Sequence, residues 1–239
     1  MCGRFVLATP PAALAEHFGA DEVRSGPEGP DFNITPRREI VVVAESGDLR
    51  VIDRVRWVLV PSWAKDLSIG DRMINARAET VATSNAFRRA FTRRRCIIPA
   101  DGFYEWKRIG GPPSRPRKQP WYFHRADGAP LAFAGLWESW RDPAAGADAP
   151  RVRTCTIITT AADEVVGRVH ERMPALLADD GWDAWLDPAN DDTESLHALL
   201  GPGLDGGLEA WPVGREVNSP ANNAAGLIES VPEEIAEEQ

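Results

Sequence analysis

Cysteine is scarce in this chain, and its scarcity excludes several classes of protein. Three cysteines occur among 239 residues, an odd number without a pairing pattern, which argues against a disulfide framework. The sequence contains no CxxC or HxxxH spacing of the kind that binds zinc. We therefore expect neither a metal ion nor another cofactor.

Long apolar segments are also missing. The sequence has no run of 18 apolar residues, so we expect no membrane span and no membrane partner. The N-terminus lacks the basic and then apolar layout of a secretory signal, which predicts a cytoplasmic protein. Hydrophobic residues make up 43% of the chain and charged residues 26%, which is the balance of an ordinary soluble globular protein.

The charge of the chain is unevenly distributed. The net charge of −9 argues at first against a nucleic-acid partner. However, residues 1–125 contain 21 Lys and Arg against 14 acidic residues, whereas residues 126–239 contain 6 against 22. This asymmetry indicates that one face could contact a polyanion, unless folding intermixes the two halves. The basic run at 88–95 is either a phosphate-binding patch or a solvated helix face.

The hydrophobic pattern predicts an α+β fold, in a single domain at 1–230 with a mainly antiparallel, barrel-like β core and peripheral helices. An acidic tail at 231–239 is expected to be disordered. Apolar and alternating segments predict strands at 40–44, 51–59, 97–99 leading into 102–106, 121–124, 131–140 and 152–160, with a hairpin loop at 107–119. Helices are predicted at 10–18, 80–91, 163–170, 179–186 and 193–200.

The most informative residue is Cys2. A methionine aminopeptidase accepts a small second residue, and removal of Met1 would leave a thiol and a free α-amine on adjacent carbons. A 1,2-aminothiol condenses with an aldehyde, first as an imine and then as a thiazolidine ring. The amine has a pKa near 8, so a fraction is neutral at physiological pH, and the thiolate is a strong nucleophile. Position alone leaves open that Cys2 is incidental.

Three other polar residues lie in segments that otherwise look like protein core: Asn75, Glu105 and His170. Each has an ordinary interpretation. Asn75 could cap a turn, Glu105 could be the exposed residue of an alternating strand, and His170 could end a helix and face its dipole.

Together with Cys2, these residues match one family. The chain resembles the SRAP family (SOS response-associated peptidase) of abasic-site processing proteins. The matching segments follow the family order and are 1–5, 32–36, 57–63, 74–80, 95–107, 133–138, 159–163 and 170–174. One departure is Val58, which follows Trp57 where the family usually has glycine, but it touches no reacting group.

The resemblance implies an abasic-site sensor or shield of the DNA damage response. It would crosslink through Cys2 to the ring-opened aldehyde of abasic sites in single-stranded DNA as a thiazolidine, with self-processing peptidase and lyase-type activities. Asn75 would then hold the amine or a sugar hydroxyl, and His170 would donate a proton to the ring oxygen. Glu105, whose pKa we expect desolvation to raise, would shuttle protons.

The resemblance and the charges also suggest DNA contacts. Arg4 and Arg77 are expected to bind phosphates at the lesion, and Asn33 and Trp106 belong to the family's DNA-facing motifs. Trp63 would stack on a flanking base or wedge apart a duplex junction, unless it packs in the core. The expected protein is a monomer whose partner is single-stranded DNA containing abasic sites and which associates with the nucleoid when bound to DNA.

Two other functions stay open at this point. An N-terminal-nucleophile amidohydrolase of the class II glutamine amidotransferase type also begins Met-Cys-Gly and uses the α-amine as the base for its Cys thiolate. It would need a glutamine pocket and usually a second domain, and would give Glu105 and His170 no role. The other alternative is a non-catalytic DNA-binding module in which Cys2 is incidental.

Overall fold

The computed structural model describes residues 2–112, 114–146, 148–201, 204 and 207–234. The strands within these ranges are β1 Phe5–Leu7, β2 Glu22–Val23, β3 Asp31–Ile34, β4 Glu39–Ser46, β5 Leu49–Trp57, β6 Asn75–Arg77, β7 Arg95–Ala100, β8 Gly102–Gly110, β9 Arg117–Arg125, β10 Leu131–Trp140, β11 Val152–Ala161, β12 Arg172–Pro174 and β13 Leu208–Pro212. The α-helices are α1 Pro11–Phe18, α2 Ala78–Val81, α3 Arg88–Arg93, α4 Trp182–Leu186 and α5 Thr193–Ala198. Short 3-10 helices lie at Leu67–Arg72, Val166–Arg168, Asp179–Gly181, Arg215–Asn218 and Ala225–Ile228.

Five strands of the larger sheet close into a barrel. Their order is β11–β10–β7–β4–β5, and pairing of β5 with β11 completes the ring. This closing pair is parallel, whereas the other neighbours in the ring are antiparallel. Closure leaves these five strands without a free edge. The predicted α+β fold with a mainly antiparallel, barrel-like core is therefore confirmed.

The smaller sheet packs against this barrel and brings the N-terminus with it. Its strand order is β13–β9–β8–β1–β3. Phe5 of β1 is fully buried, and its ring centroid lies 5.3 Å from that of Trp57 and 6.0 Å from that of Phe133 in the barrel. Phe103 of β8 lies against the same Phe133 ring, at 5.9 Å. Burial of these aromatic rings anchors β1, and therefore the residues that precede it.

The segment predicted as one helix at 80–91 is two short helices. Helix α2 ends at Val81 and α3 begins at Arg88. Between them the carbonyl of Ser84 accepts from the amides of Phe87 and Arg88, and its hydroxyl accepts from the amide of Ala86. Serine competes for backbone hydrogen bonds in this way, which interrupts a helix.

The prediction of a helix at 163–170 is also wrong, because the structure has only a 3-10 turn at Val166–Arg168 there. The carboxylate of Asp163 accepts from the amides of Val165 and Val166 and so starts this turn. Nucleating a helix is costly, and the segment pairs with β11 immediately afterwards through β12, which ends the turn early. The predictions at 10–18 and 193–200 are confirmed by α1 and α5, and the one at 179–186 by a 3-10 turn followed by α4.

The predicted hairpin loop at 107–119 is shorter than expected. Strand β8 continues to Gly110 and β9 begins at Arg117, so the polar residues of this region are largely paired strand. Gly110 and Gly111 both have positive φ angles, of 134° and 80°, which turns the chain where other residues would be strained.

Folding intermixes the two oppositely charged halves of the chain. Ion pairs join Arg50 to Asp183 at 2.7 Å and Arg125 to Asp179 at 2.8 Å. The sequence asymmetry therefore does not by itself define a basic face. The predicted acidic tail is described only at 231–234, where Glu233 and Glu234 form ion pairs, and residues 235–239 lie outside the described residues. None of the helices in the described part of the chain is long and apolar enough to cross a membrane.

Candidate active site

Cys2 lies three residues before the start of β1 and is completely buried. Its carbonyl oxygen accepts a hydrogen bond from Nδ2 of Asn75 at 2.9 Å, and its sulfur accepts one from the backbone amide of Arg4. The anchoring of β1 by Phe5 therefore places the thiol, while Asn75 fixes the peptide group beside it.

Asn75 begins β6, which pairs in parallel with β11 so that Asn75 lies opposite Ile157. Its Oδ1 is buried and has no hydrogen-bond partner within the described ranges. A buried acceptor without a donor costs about 1–3 kcal/mol. The amide is therefore held at one end by Cys2 and can accept a hydrogen bond from an amine or hydroxyl at the other.

Glu105 is a buried carboxylic acid, with 3% of its surface exposed. Glu105 lies two residues after Phe103 on β8, and Phe103 belongs to the main core. Tyr104, which lies between them, packs in a separate cluster on the other side of the sheet. Side chains two apart on a strand share a face. The interpretation of Glu105 as the exposed residue of an alternating strand is therefore wrong.

The thiol of Cys2 is a weaker acid than an ordinary cysteine thiol. Burial raises its pKa well above the ordinary value, and the nearby charge of Glu105 raises it further. Both effects disfavour the thiolate, and they outweigh the opposing charge of the N-terminal amine and the hydrogen bond from the amide of Arg4. In the chain that carries Met1, burial and the charge of Glu105 therefore favour the protonated thiol, which needs a base before it can act as a nucleophile.

His170 lies between the 3-10 turn at Val166–Arg168 and β12. Its Nδ1 lies 3.0 Å from the backbone amide of Arg172 and 3.2 Å from the carbonyl oxygen of the same residue. The guanidinium of Arg172 binds the carbonyl of Thr159 at 2.6 Å and the carboxylate of Glu79, which fixes this segment at the same end of β11 as Asn75.

Arg4, Asn33 and Trp106 form one cluster beside Cys2. The guanidinium of Arg4 lies over the Trp106 ring at 5.7 Å and donates to Oδ1 of Asn33 at 2.6 Å. Asn33 is 1% exposed, and its Nδ2 donates to three backbone carbonyls. These contacts give Asn33 the role of positioning Arg4, whereas a direct contact with DNA stays a prediction. The side chain of Asn218 accepts from Nε1 of Trp106 at 2.7 Å, a partner that no local sequence signal indicated.

Arg77 and Trp63 are the exposed members of the predicted set. Arg77 is exposed on β6, two residues from Asn75, and its guanidinium forms no hydrogen bond or ion pair within the described ranges. Trp63 is 60% exposed, so its interpretation as a core residue is wrong. It lines a cavity of about 510 Å³ together with Pro61, Ser62, Asn85, Ala86, Arg88, Arg89 and Glu138.

The basic run at 88–95 is divided by the fold. Arg95 is buried, and its guanidinium donates to backbone carbonyls, including that of Phe91 at 2.8 Å. Arg94 pairs with buried Glu138, and Arg93 pairs with Asp191. These three arginines stabilise the fold, while Arg88 and Arg89 border the Trp63 cavity and carry no ion pair in the described part of the chain.

The described residues contain no group of three or more His, Cys, Asp or Glu side chains arranged to hold a metal ion.

The fold and site together define an α+β protein with a mixed five-stranded barrel and a candidate nucleophile at the second residue. The sequence model of the family described as SOS response associated peptidase (SRAP) matches residues 1–220, and the chain belongs to that family.

Known relatives agree with this membership. The chain is 41% identical over 233 residues to the abasic site processing protein YoqW of Bacillus subtilis. The match covers 96% of this chain and 100% of YoqW. It is 40% identical over 231 residues to the abasic site processing protein YoaM of the same organism, with 96% and 98% covered. The crystal structure of a protein from Bacteroides thetaiotaomicron superposes with a TM-score of 0.83 at 22% identity, covering 97% of this chain and 100% of that chain, which shows a shared fold.

Proposed function

We propose that this protein processes abasic sites in single-stranded DNA by bonding covalently, through Cys2, to the ring-opened aldehyde of the lesion. One observation carries the proposal: Cys2 is seated in the core with the amide of Asn75 on its carbonyl and the carboxylate of Glu105 close enough to perturb its thiol. The relatives named abasic site processing proteins support the choice of substrate.

The proposed reaction needs the α-amine of Cys2, and hence removal of Met1 first. The amine attacks C1′ of the open sugar and loses water to give an imine. The thiol then adds to the imine carbon as its proton passes to the nitrogen, which closes the thiazolidine. Water is the only group lost, and no oxidant or reductant is required.

The side chains of the predicted site suit these steps. The buried carboxylate of Glu105 accepts the thiol proton and returns it to nitrogen, a form of acid–base catalysis that typically contributes about 10²–10⁴-fold. The open Oδ1 of Asn75 accepts from the amine or from a sugar hydroxyl. His170 donates a proton to the ring oxygen, which promotes opening of the sugar.

Two further activities are part of the proposal. The protein removes its own Met1, which makes it a peptidase toward itself. The imine at C1′ also acidifies the C2′ proton, so β-elimination of the 3′ phosphate gives a lyase activity. The protein acts as a cytoplasmic monomer that associates with the nucleoid when it binds DNA.

The exposed residues suggest how the DNA strand is held. Arg4, stacked on Trp106, and exposed Arg77 supply cations for phosphates near the lesion. The exposed ring of Trp63 supplies a stacking surface for a flanking base, a contact worth about 1–3 kcal/mol per base. Arg88 and Arg89 on the same cavity add positive charge for the backbone.

The proposal is tested by mixing the purified protein with an abasic single-stranded oligonucleotide, after mass spectrometry has confirmed loss of Met1. We expect an SDS- and heat-resistant adduct with Cys2 at the lesion and none with intact DNA. Cys2→Ala abolishes the adduct, whereas the matched variants Cys96→Ala and Cys155→Ala keep it. Absence of an adduct with Met1 removed would refute the proposal, and hydrolysis of glutamine would favour an amidohydrolase.

A further inference from the structure

The hairpin that continues the site strand is strongly basic. Residues 107–118, here called the basic hairpin, contain five Lys and Arg and no acidic residue. The hairpin extends β8, which carries Glu105 and Trp106. Because a strand rises about 3.4 Å per residue, Lys107 lies about 7 Å from Glu105 along the same face. A DNA strand leaving the site in this direction meets the basic hairpin first.

Residues 231–234, here called the acidic strap, lie across the base of this hairpin. The amide of Val231 donates to the carbonyl of Pro212 at 2.9 Å. The buried side chain of Gln119 binds the strap at two points, donating to the carbonyl of Pro232 at 3.2 Å and accepting from the amide of Glu234 at 2.8 Å. The backbone of the strap is therefore fixed independently of its carboxylates.

The carboxylates of the strap bind cations of this surface. Glu233 pairs with Lys107 at 2.5 Å, and Glu234 pairs with Arg215 at 2.6 Å and with Arg117 at 3.5 Å. Between a third and a half of each of these five side chains is exposed. Ion pairs at this degree of exposure are weak and sensitive to salt, so a stronger anion can displace them.

We propose that Lys107, Arg117 and Arg215 form a phosphate-binding surface for the DNA strand that flanks the lesion, and that the acidic strap competes with DNA for it. This inference rests on the proposed function for its ligand. The strap lowers the affinity for DNA in general, because any nucleic-acid backbone must exchange phosphates for the carboxylates of Glu233 and Glu234.

The test removes the two charges and keeps the backbone of the strap. In the full-length double variant Glu233→Gln/Glu234→Gln, we expect the affinity for an intact single-stranded oligonucleotide to rise on the order of 10-fold at low salt, measured by fluorescence anisotropy. The slope of log K against log salt becomes steeper by about 0.7 for each cation released, or about 2 for all three. Unchanged affinity and slope would overturn the inference.

Two further variants separate local from general effects. Glu22→Gln/Glu45→Gln makes the same change in net charge and breaks ion pairs with Arg24 and Arg50 in the barrel sheet. We expect it to bind DNA within about 2-fold of the wild type, and an increase equal to that of the strap variant would contradict the proposed surface. Adding Lys107→Gln, Arg117→Gln and Arg215→Gln to the strap variant returns affinity and slope to wild-type values.

The covalent assay distinguishes this inference from the proposed function. If the wild type and the strap variant both form the adduct with an abasic oligonucleotide but bind intact DNA equally well, only the proposed competition by the strap is refuted. If the strap variant binds intact DNA more tightly but neither protein forms an adduct, the competition by the strap is supported and the proposed covalent chemistry is refuted.

Discussion

Replacing Asn33 with alanine is expected to destabilise the protein and to weaken DNA binding through Arg4. Asn33 is buried on β3 and joins that strand to the chain after the 3-10 helix at Arg215–Asn218. Its Nδ2 donates to the carbonyls of Ser219 at 2.9 Å and Asn222 at 2.8 Å, while its Oδ1 accepts from Arg4 at 2.6 Å. Alanine removes all of these partners at once.

The magnitude follows from those contacts. Each neutral hydrogen bond contributes about 1 kcal/mol net and the charged one about 1.5–3 kcal/mol, so the loss is about 3–5 kcal/mol. That is a large part of the stability of a typical domain, which is about 5–15 kcal/mol. The exposed Asn222→Ala variant, whose side chain makes one hydrogen bond to the carbonyl of Glu216, is a matched control and is expected to lose about 1 kcal/mol or less.

Urea unfolding followed by tryptophan fluorescence measures the stability, and oligonucleotide binding measures the function. If Asn33 acts by positioning Arg4, then Arg4→Ala/Asn33→Ala binds DNA no more weakly than Arg4→Ala alone. Additive losses of affinity would show instead that Asn33 contacts DNA directly. A destabilisation below about 1 kcal/mol would refute the reasoning from its hydrogen bonds.

Three other predictions follow from the site and the core. Glu105→Gln is expected to slow formation of the adduct and to impair its reversal, because the proton shuttle is lost while the side-chain volume is kept; equal crosslinking and release rates would exclude that role. Trp63→Ala is expected to weaken binding of single-stranded DNA by about 1–3 kcal/mol with little effect on unfolding, since the ring is 60% exposed, and unchanged affinity would exclude stacking. Burial raises the pKa of the Cys2, Cys96 and Cys155 thiols, so above about pH 9 the unfolded chain loses protons that the folded protein keeps. The free energy of unfolding is then expected to fall by about 1.4 kcal/mol per pH unit for each thiol, and a flat profile from pH 8 to 11 would contradict this.

The strands were predictable from the sequence because their pattern is local. Alternating and β-branched residues in 40–44 and 131–140 indicated β4 and β10, and the absence of βαβ alternation indicated a mainly antiparallel core. The helix at 163–170 was not predictable in extent, because a single side chain, Asp163, and the pairing of β12 decide where the turn ends. Closure of the barrel by β5 and β11 joins residues about a hundred positions apart and has no local signal.

The candidate site was predictable in its members but not in its arrangement. Motifs indicated Asn33 and Glu105, yet neither the burial of the Asn33 amide nor the core-facing direction of Glu105 could be read from them, because both depend on the packing of the smaller sheet on the barrel. The exposure of Trp63 likewise depends on its tertiary surroundings. Lys107 was assigned to a loop, and its pairing with Glu233 depends on the path of the chain after β13.

The raised pKa of Cys2 bears on the order of the proposed steps. An exposed thiolate at the N-terminus would be open to oxidation and to other electrophiles, whereas burial and the charge of Glu105 keep this thiol protonated. This acidity is consistent with the proposed order, in which the α-amine attacks the aldehyde before the thiol does. The protonated imine that results is a positive charge beside the sulfur, and a nearby positive charge lowers the pKa of a thiol. In the proposed sequence, Glu105 then takes the thiol proton, and the second bond forms after the first.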